Sequence, residues 1–143
     1  MDETSLYKHK INITVRFSDL DALGHVNNAT YLSYIQDARI LYFKKILKRK
    51  SDNLDYKAII ARVEIDYKNQ ICLGDKVVVN TRCTSIGEKS CDVENLVVIE
   101  KGVENIIAAH CLSKLVAFDY RHDVTTPIPD TWRIAINEFE GLN

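Results

Sequence analysis

The sequence predicts an α+β fold in which one curved, five-stranded antiparallel sheet wraps a single long central helix. Three observations carry that expectation. The stretch from Ala29 to Lys48 repeats its apolar side chains at three and four residues, placing Tyr31, Ile35, Ala38, Tyr42 and Ile46 on one stripe. From Lys57 onward the period falls to two and stays there. The links between the later apolar runs are short and contain glycine, as antiparallel hairpins require.

Each element follows from its residues. Between Lys8 and Phe17, Ile11, Ile13, Val15 and Phe17 alternate with polar residues, the pattern of a half-buried strand. Ser18 to Asn28 is a loop rich in turn formers, and Asn27 or Asn28 can cap the helix that follows by accepting an unpaired first-turn amide. Leu32, Tyr34, Leu41, Phe43 and Leu47 widen the helix stripe, so other structure is expected to wrap it. Lys44, Lys45, Lys48, Arg49 and Lys50 place positive charge at the helix C-terminus, where the dipole favours it. Ile59, Ala61, Val63, Ile65 and Tyr67 form one face of the next strand. Gly74-Asp75 turns the chain into Val77 to Cys83, Gly87 to Ser90 into Cys91 to Glu100, and Lys101-Gly102 into Asn105 to Phe118. Thr125 to Asp130 ends the regular strands, and a short tail helix is expected from Thr131 to Glu140. No linker or repeat divides the chain, so residues 1–143 are expected to form one domain. A single sheet of this kind leaves free edges, so a homo-oligomer, dimer or tetramer, is expected.

Composition excludes several function classes. The 143 residues carry 19 Lys and Arg against 20 Asp and Glu, a formal net charge of −1, which argues against nucleic-acid binding through a broad positive field. A hydrophobic share of 46% is too high for a disordered chain. No apolar stretch is long enough to span a membrane, and the opening Met1 to Ser5 is polar, so a cytoplasmic protein without membrane contact is expected. Cys72, Cys83, Cys91 and Cys111 form no C-x-x-C pair and sit in apolar contexts, as small buried hydrophobes do in a reducing compartment. Their spacing gives no metal knuckle, and no metal is expected. His9, His110 and His122 are expected to be structural.

The chemistry is expected between Asp19 and Asn28. A carboxylate just before a helix start lies beside amides with no intrahelical partner. Those amides can hold the oxygen of a thioester carbonyl, and the carboxylate can attack the carbonyl carbon or activate a water. Asp19 and Asp21 could equally shape the turn by bonding nearby amides.

The run Arg16-Phe17-Ser18-Asp19-Leu20-Asp21-Ala22-Leu23-Gly24-His25-Val26-Asn27-Asn28-Ala29-Thr30-Tyr31, with Tyr34 and Ala38-Arg39 beyond it, resembles the hotdog-fold acyl-CoA thioesterases, and within them the 4-hydroxybenzoyl-CoA thioesterase-like family. That resemblance implies a hotdog fold that dimerises through its sheet, an active site at the subunit interface, and an acyl-CoA substrate with no further cofactor. It makes Asp21 the catalytic carboxylate and the Asn28 backbone amide the oxyanion donor. His25 could assist by orienting Asp21 or a water, or could simply pack in the loop with its ring nitrogens satisfied by backbone. Asp19 is expected to support the turn, and Asn27 to cap. Relatives often carry Glu near the helix's second turn; this chain has Gln36, a poor base. Leu23, Val26, Tyr31 and Ile35 are expected to line the acyl site. Arg62, Lys89 and Ser90 are expected to meet coenzyme A, whose phosphates call for cations, with Lys68, Lys114 and Arg121 as further candidates.

Two other readings compete with hydrolysis. One is a non-catalytic dimer of the same fold that binds acyl groups or coenzyme A. The other is a dehydratase of 3-hydroxyacyl thioesters, which needs a His–acid pair that the sequence does not place convincingly.

Overall fold

The computed structural model describes residues 2–48 and 56–142. In chain order they form β1 (His9–Thr14), α1 (Asn28–Leu47), β2 (Tyr56–Tyr67), β3 (Lys76–Ile86), β4 (Ser90–Lys101), β5 (Glu104–Asp119), β6 (Val124–Thr125) and α2 (Asp130–Glu140), with 3-10 turns at Glu3–Leu6 and Phe17–Asp19. Arg49 and Lys50, expected at the basic helix end, lie outside the described residues.

The sheet runs β1-β3-β4-β5-β2, antiparallel throughout, and the two-residue β6 adds to β5 beside Phe118 and Asp119. The curled sheet holds α1 in its concave face, the hotdog arrangement that the motif implies. Two apolar clusters divide the helix. Its first half packs Tyr31, Tyr34, Ile35 and Ala38 against Val26, Ile71, Val77 and Val97. Its second half packs Tyr42 and Ile46 against Cys83, Val93, Leu115 and Ile136 of α2. The helix thus runs along β3, its start near Val77 and its end near Cys83.

Four expectations are corrected. The first strand ends at Thr14, because the Asp19 carboxylate accepts the Arg16 N–H at 2.9 Å and draws the chain into a turn; Phe17 is then 80% exposed. In β2 a bulge between Ile60 and Arg62 breaks the alternation, leaving Ala61 and Ile60 exposed. The helix is not wrapped all round: Leu32, Ile40 and Leu41 stand exposed on the single protomer. Cys72 is exposed in the loop after β2, whereas Cys83, Cys91 and Cys111 are buried.

His9 lies against the core with its ring edge on Tyr42 at 5.5 Å, and its Nδ1 finds no partner among the described residues. Burial, and then the Lys45 charge, hold its pKa below the ordinary histidine value. Between that ordinary value of about 6.5 and the lower folded one, the unfolded chain binds more protons, so stability rises with pH there. The urea midpoint is expected to be lower at about pH 5.5 than at about pH 7.5, and the difference is expected to shrink in His9→Phe. An equal difference in both proteins would remove His9 from the acid response.

Candidate active site

The loop before α1 is a small closed structure. Leu20 and Val26 pair as an isolated bridge. Inside it the Asp21 N–H donates to the His25 carbonyl at 2.9 Å, and the Gly24 N–H donates to the Asp21 carbonyl at 3.1 Å. Gly24 sits at φ +83°, which a glycine adopts at no steric cost. Two bonds between residues further apart in the chain hang this loop in place: the Val26 N–H donates to the Ile71 carbonyl at 2.8 Å, and the Asn27 N–H to the Asp19 carbonyl at 2.9 Å.

The two acids have different surroundings. Asp19 is buried, and its Oδ2 accepts the Arg16 N–H at 2.9 Å and the Tyr34 hydroxyl at 2.7 Å. Burial alone would raise its pKa, but those two donors and the Arg16 guanidinium, 3.8 Å from Oδ1, hold it below the usual carboxylate range. Burial and the facing Asp19 push the Tyr34 phenol up. Asp19 therefore braces the loop, as the turn reading expects. Tyr34→Phe removes one charge-assisted bond and is expected to cost about 1.5–3 kcal/mol in urea unfolding; a variant as stable as wild type would deny the brace.

Asp21 is exposed, and only its Oδ1 is engaged among the described residues, accepting the Leu23 N–H at 2.9 Å. Asn27 is the helix cap: its Oδ1 accepts the Ala29 N–H at 2.9 Å. The Asn28 N–H, first in the helix, meets no acceptor among the described residues and stands at the positive end of the helix dipole. His25 is half-buried and contributes its backbone carbonyl to the loop. Asp21 and Asn28 thus belong to one loop–helix junction, and both residues are exposed.

The remaining expected site residues separate. Leu23 is 80% exposed, whereas Val26, Tyr31 and Ile35 pack in the core. Arg62 is exposed on β2 and pairs with Glu64. Lys89 and Ser90 occupy the β3–β4 turn, where the Lys89 carbonyl accepts the Ala117 N–H at 2.8 Å and the Arg133 guanidinium donates to the Gly87 carbonyl at 2.9 Å. That turn lies beside the end of α1, a helix length of about 30 Å from the helix start. Within one protomer, the Lys89–Ser90 turn and the expected acid therefore lie at opposite ends of α1, with Arg62 midway along β2. Lys114 is held by Asp92 at 2.7 Å.

Sequence reasoning missed Tyr67 and Ile71. The Tyr67 hydroxyl donates to the Asn28 carbonyl at 3.0 Å, and its ring meets Tyr31 edge-on at 5.1 Å. These contacts join β2 to the helix start across about forty residues of chain, and no local pattern signals them. Among the described residues, no cluster of three or more His, Cys, Asp or Glu side chains could hold a metal, and no helix is long and apolar enough to cross a membrane.

Residues 15–136 match the family model described as "Thioesterase-like superfamily". The fold is similar to a crystal structure of a thioesterase complexed with coenzyme A and Zn from Thermus thermophilus, with TM-score 0.81 and 37% identity over 94% of this chain and 96% of that one. The sequence is 30% identical over 100 residues to a 1,4-dihydroxy-2-naphthoyl-CoA hydrolase of Crocosphaera subtropica, covering 68% of this chain and 73% of that protein. It is 33% identical over 78 residues to the uncharacterized protein YsmA of Bacillus subtilis, a match spanning 54% of this chain and about half, 52%, of that protein.

Proposed function

Because the chain belongs to the thioesterase-like superfamily, we propose that it hydrolyses an acyl-CoA thioester to the free acid and coenzyme A, acting as one domain over residues 1–143. The observation that carries this reading is the junction itself: an exposed carboxylate with one unengaged oxygen, in the closed loop that leads into a helix-start amide unpaired among the described residues. In the proposed reaction the thioester carbonyl oxygen accepts the Asn28 N–H, and the helix dipole stabilises the charge that grows there. Asp21 either attacks the carbonyl carbon, giving an anhydride that water then opens, or takes a proton from the attacking water. Coenzyme A leaves as its thiolate. Water is the sole co-reactant, so no cofactor is required. The names of the coenzyme A-bound structure and of the CoA hydrolase relative support a coenzyme A thioester as substrate.

A homodimer, or a tetramer built from it, suits the same reading. β2 pairs with β5 on one side, and its other edge is free among the described residues. Tyr67, at the end of that edge strand, touches Asn28. A second copy joined antiparallel along β2 would bring the start of its own β2, with the nearby Lys89–Ser90 turn, toward this helix start. The exposed Leu32, Ile40 and Ile60 would then be covered. The unpaired thiols fit a reducing cytoplasmic setting.

The test is release of free thiol from a panel of aromatic and aliphatic acyl-CoA esters, beside calorimetric binding of each. Turnover of at least one ester is expected; binding of all with turnover of none would replace the enzyme by a sensor. Light scattering is expected to give a multiple of two chain masses, and a fully active monomer would refute the composite site.

A further inference from the structure

Between the second half of α1 and the start of β2 lies a cavity of about 420 Å³. Phe43, Leu47, Ala58, Leu115 and Trp132 make its walls apolar, and Lys44 and Lys57 stand at it as exposed cations. Arg39 also lines it and is unlike those lysines, because it is only 9% exposed. Among the described residues no carboxylate or carbonyl pairs with its guanidinium. Buried guanidinium groups are ordinarily paired, since desolvating a charge without an anion is costly. Burial depresses the Arg39 pKa, and among the described residues only the Cys111 thiol opposes the effect. A buried polar group left in this state calls for an explanation in terms of something that binds there.

We propose that this cavity binds a carboxylate carried on an apolar body, with Arg39 holding the carboxylate and Phe43, Leu115 and Trp132 enclosing the body. The planar fork of an arginine suits a carboxylate bound through both oxygens. The volume is that of a small-molecule site. Two sources share this chemistry: the far end of an acyl group bearing its own carboxylate, and the free acid that hydrolysis releases. The choice between them rests on the proposed hydrolase reading and on a second copy presenting its helix start to this cavity; the binding itself does not.

Trp132 is the chain's single tryptophan, so its fluorescence reports occupancy. Octanoate and octan-1-ol are titrated against the intact protein. Saturable change with octanoate is expected, about 10-fold or more tighter than with octanol. Arg39→Gln is expected to erase that preference while octanol binding stays, and Arg39→Lys to retain part of it. Should Arg39→Gln fail to fold, Ala58→Phe fills the cavity and is expected to block both probes. Equal binding of acid and alcohol, an octanoate preference that survives Arg39→Gln, or unaltered binding in Ala58→Phe each overturns the proposal. If a second copy's acid neutralises Arg39, the acid and alcohol bind alike, and the proposal falls. Kinetics then assign the source. A higher kcat/KM for the monothioester of octanedioic acid than for octanoyl-CoA, lost in Arg39→Gln, assigns the anion to the substrate. Competitive inhibition by octanoate without that preference assigns it to the product. Octanoate binding without any thiol release keeps this site and removes the hydrolase reading.

Discussion

Asp21→Asn is expected to lower kcat on any coenzyme A ester that the wild-type protein cleaves by about 10²- to 10⁴-fold, the range ascribed to one acid–base group. The amide keeps the shape of the carboxylate and an oxygen for the Leu23 N–H, so the loop bond at 2.9 Å survives. What it loses is the negative charge that attacks carbon or accepts a proton from water. Asp21 is exposed and carries no core contact, so thermal stability is expected to stay within about 0.5 kcal/mol of wild type. That separation of effects gives the experiment its force. Asp19→Asn is expected to act in reverse, because the buried Asp19 holds the Arg16 N–H and the Tyr34 hydroxyl. A wild-type rate in Asp21→Asn, beside a stable fold, would move the chemistry to another group of the loop. Borohydride trapping followed by peptide mass spectrometry separates the two routes: reduction of Asp21 to homoserine is expected from an anhydride there, and none from general-base catalysis.

The parts of this site that were legible in the sequence are those set by neighbours in the chain. Asn27 caps the helix because its side chain reaches an amide two residues away, and that geometry is local. The Gly-containing turns and the period-two strands are local in the same sense. Contacts between distant segments were not legible. Tyr34 finds Asp19 across nearly two turns of helix and a loop, Tyr67 finds Asn28 across the helix and β2, and Ile71 anchors Val26. The bulge at Ile60/Arg62 fits a longer strand to β5, and only the pairing reveals it. The same holds for Arg39. Only the surrounding fold shows that its side chain is buried and that, among the described residues, no acid is buried with it.

The largest stability effect is expected at Tyr42. The side chain is fully buried, and it meets His9, Phe43 and Phe139 edge-on at 5.5, 5.0 and 6.0 Å. Its hydroxyl donates to Glu140 Oε1 at 2.5 Å and accepts the Cys83 N–H at 3.0 Å, so one oxygen ties α1 to α2 and β3. Tyr42→Ala empties a ring-sized volume in a cluster that cannot readily collapse, at a cost of about 3–5 kcal/mol, before the stranded polar groups are counted. Against a typical total of about 5–15 kcal/mol, that is a large share of the whole, and a clear fall in Tm is expected. Tyr42→Phe separates the ring from the hydroxyl. The Cys83 N–H keeps a second acceptor, Glu140 Oε1 at 3.1 Å, so the loss falls mainly on the Glu140 carboxylate, and about 1–2 kcal/mol is expected. Urea unfolding of Tyr42→Phe, Glu140→Gln and the double variant then gives a coupling energy. Additive losses would mean that the hydroxyl does not hold α2. A coupling of about 1 kcal/mol or more, with faster amide exchange confined to α2 in Tyr42→Phe, would mean that this one oxygen fastens the tail helix over the second half of the core.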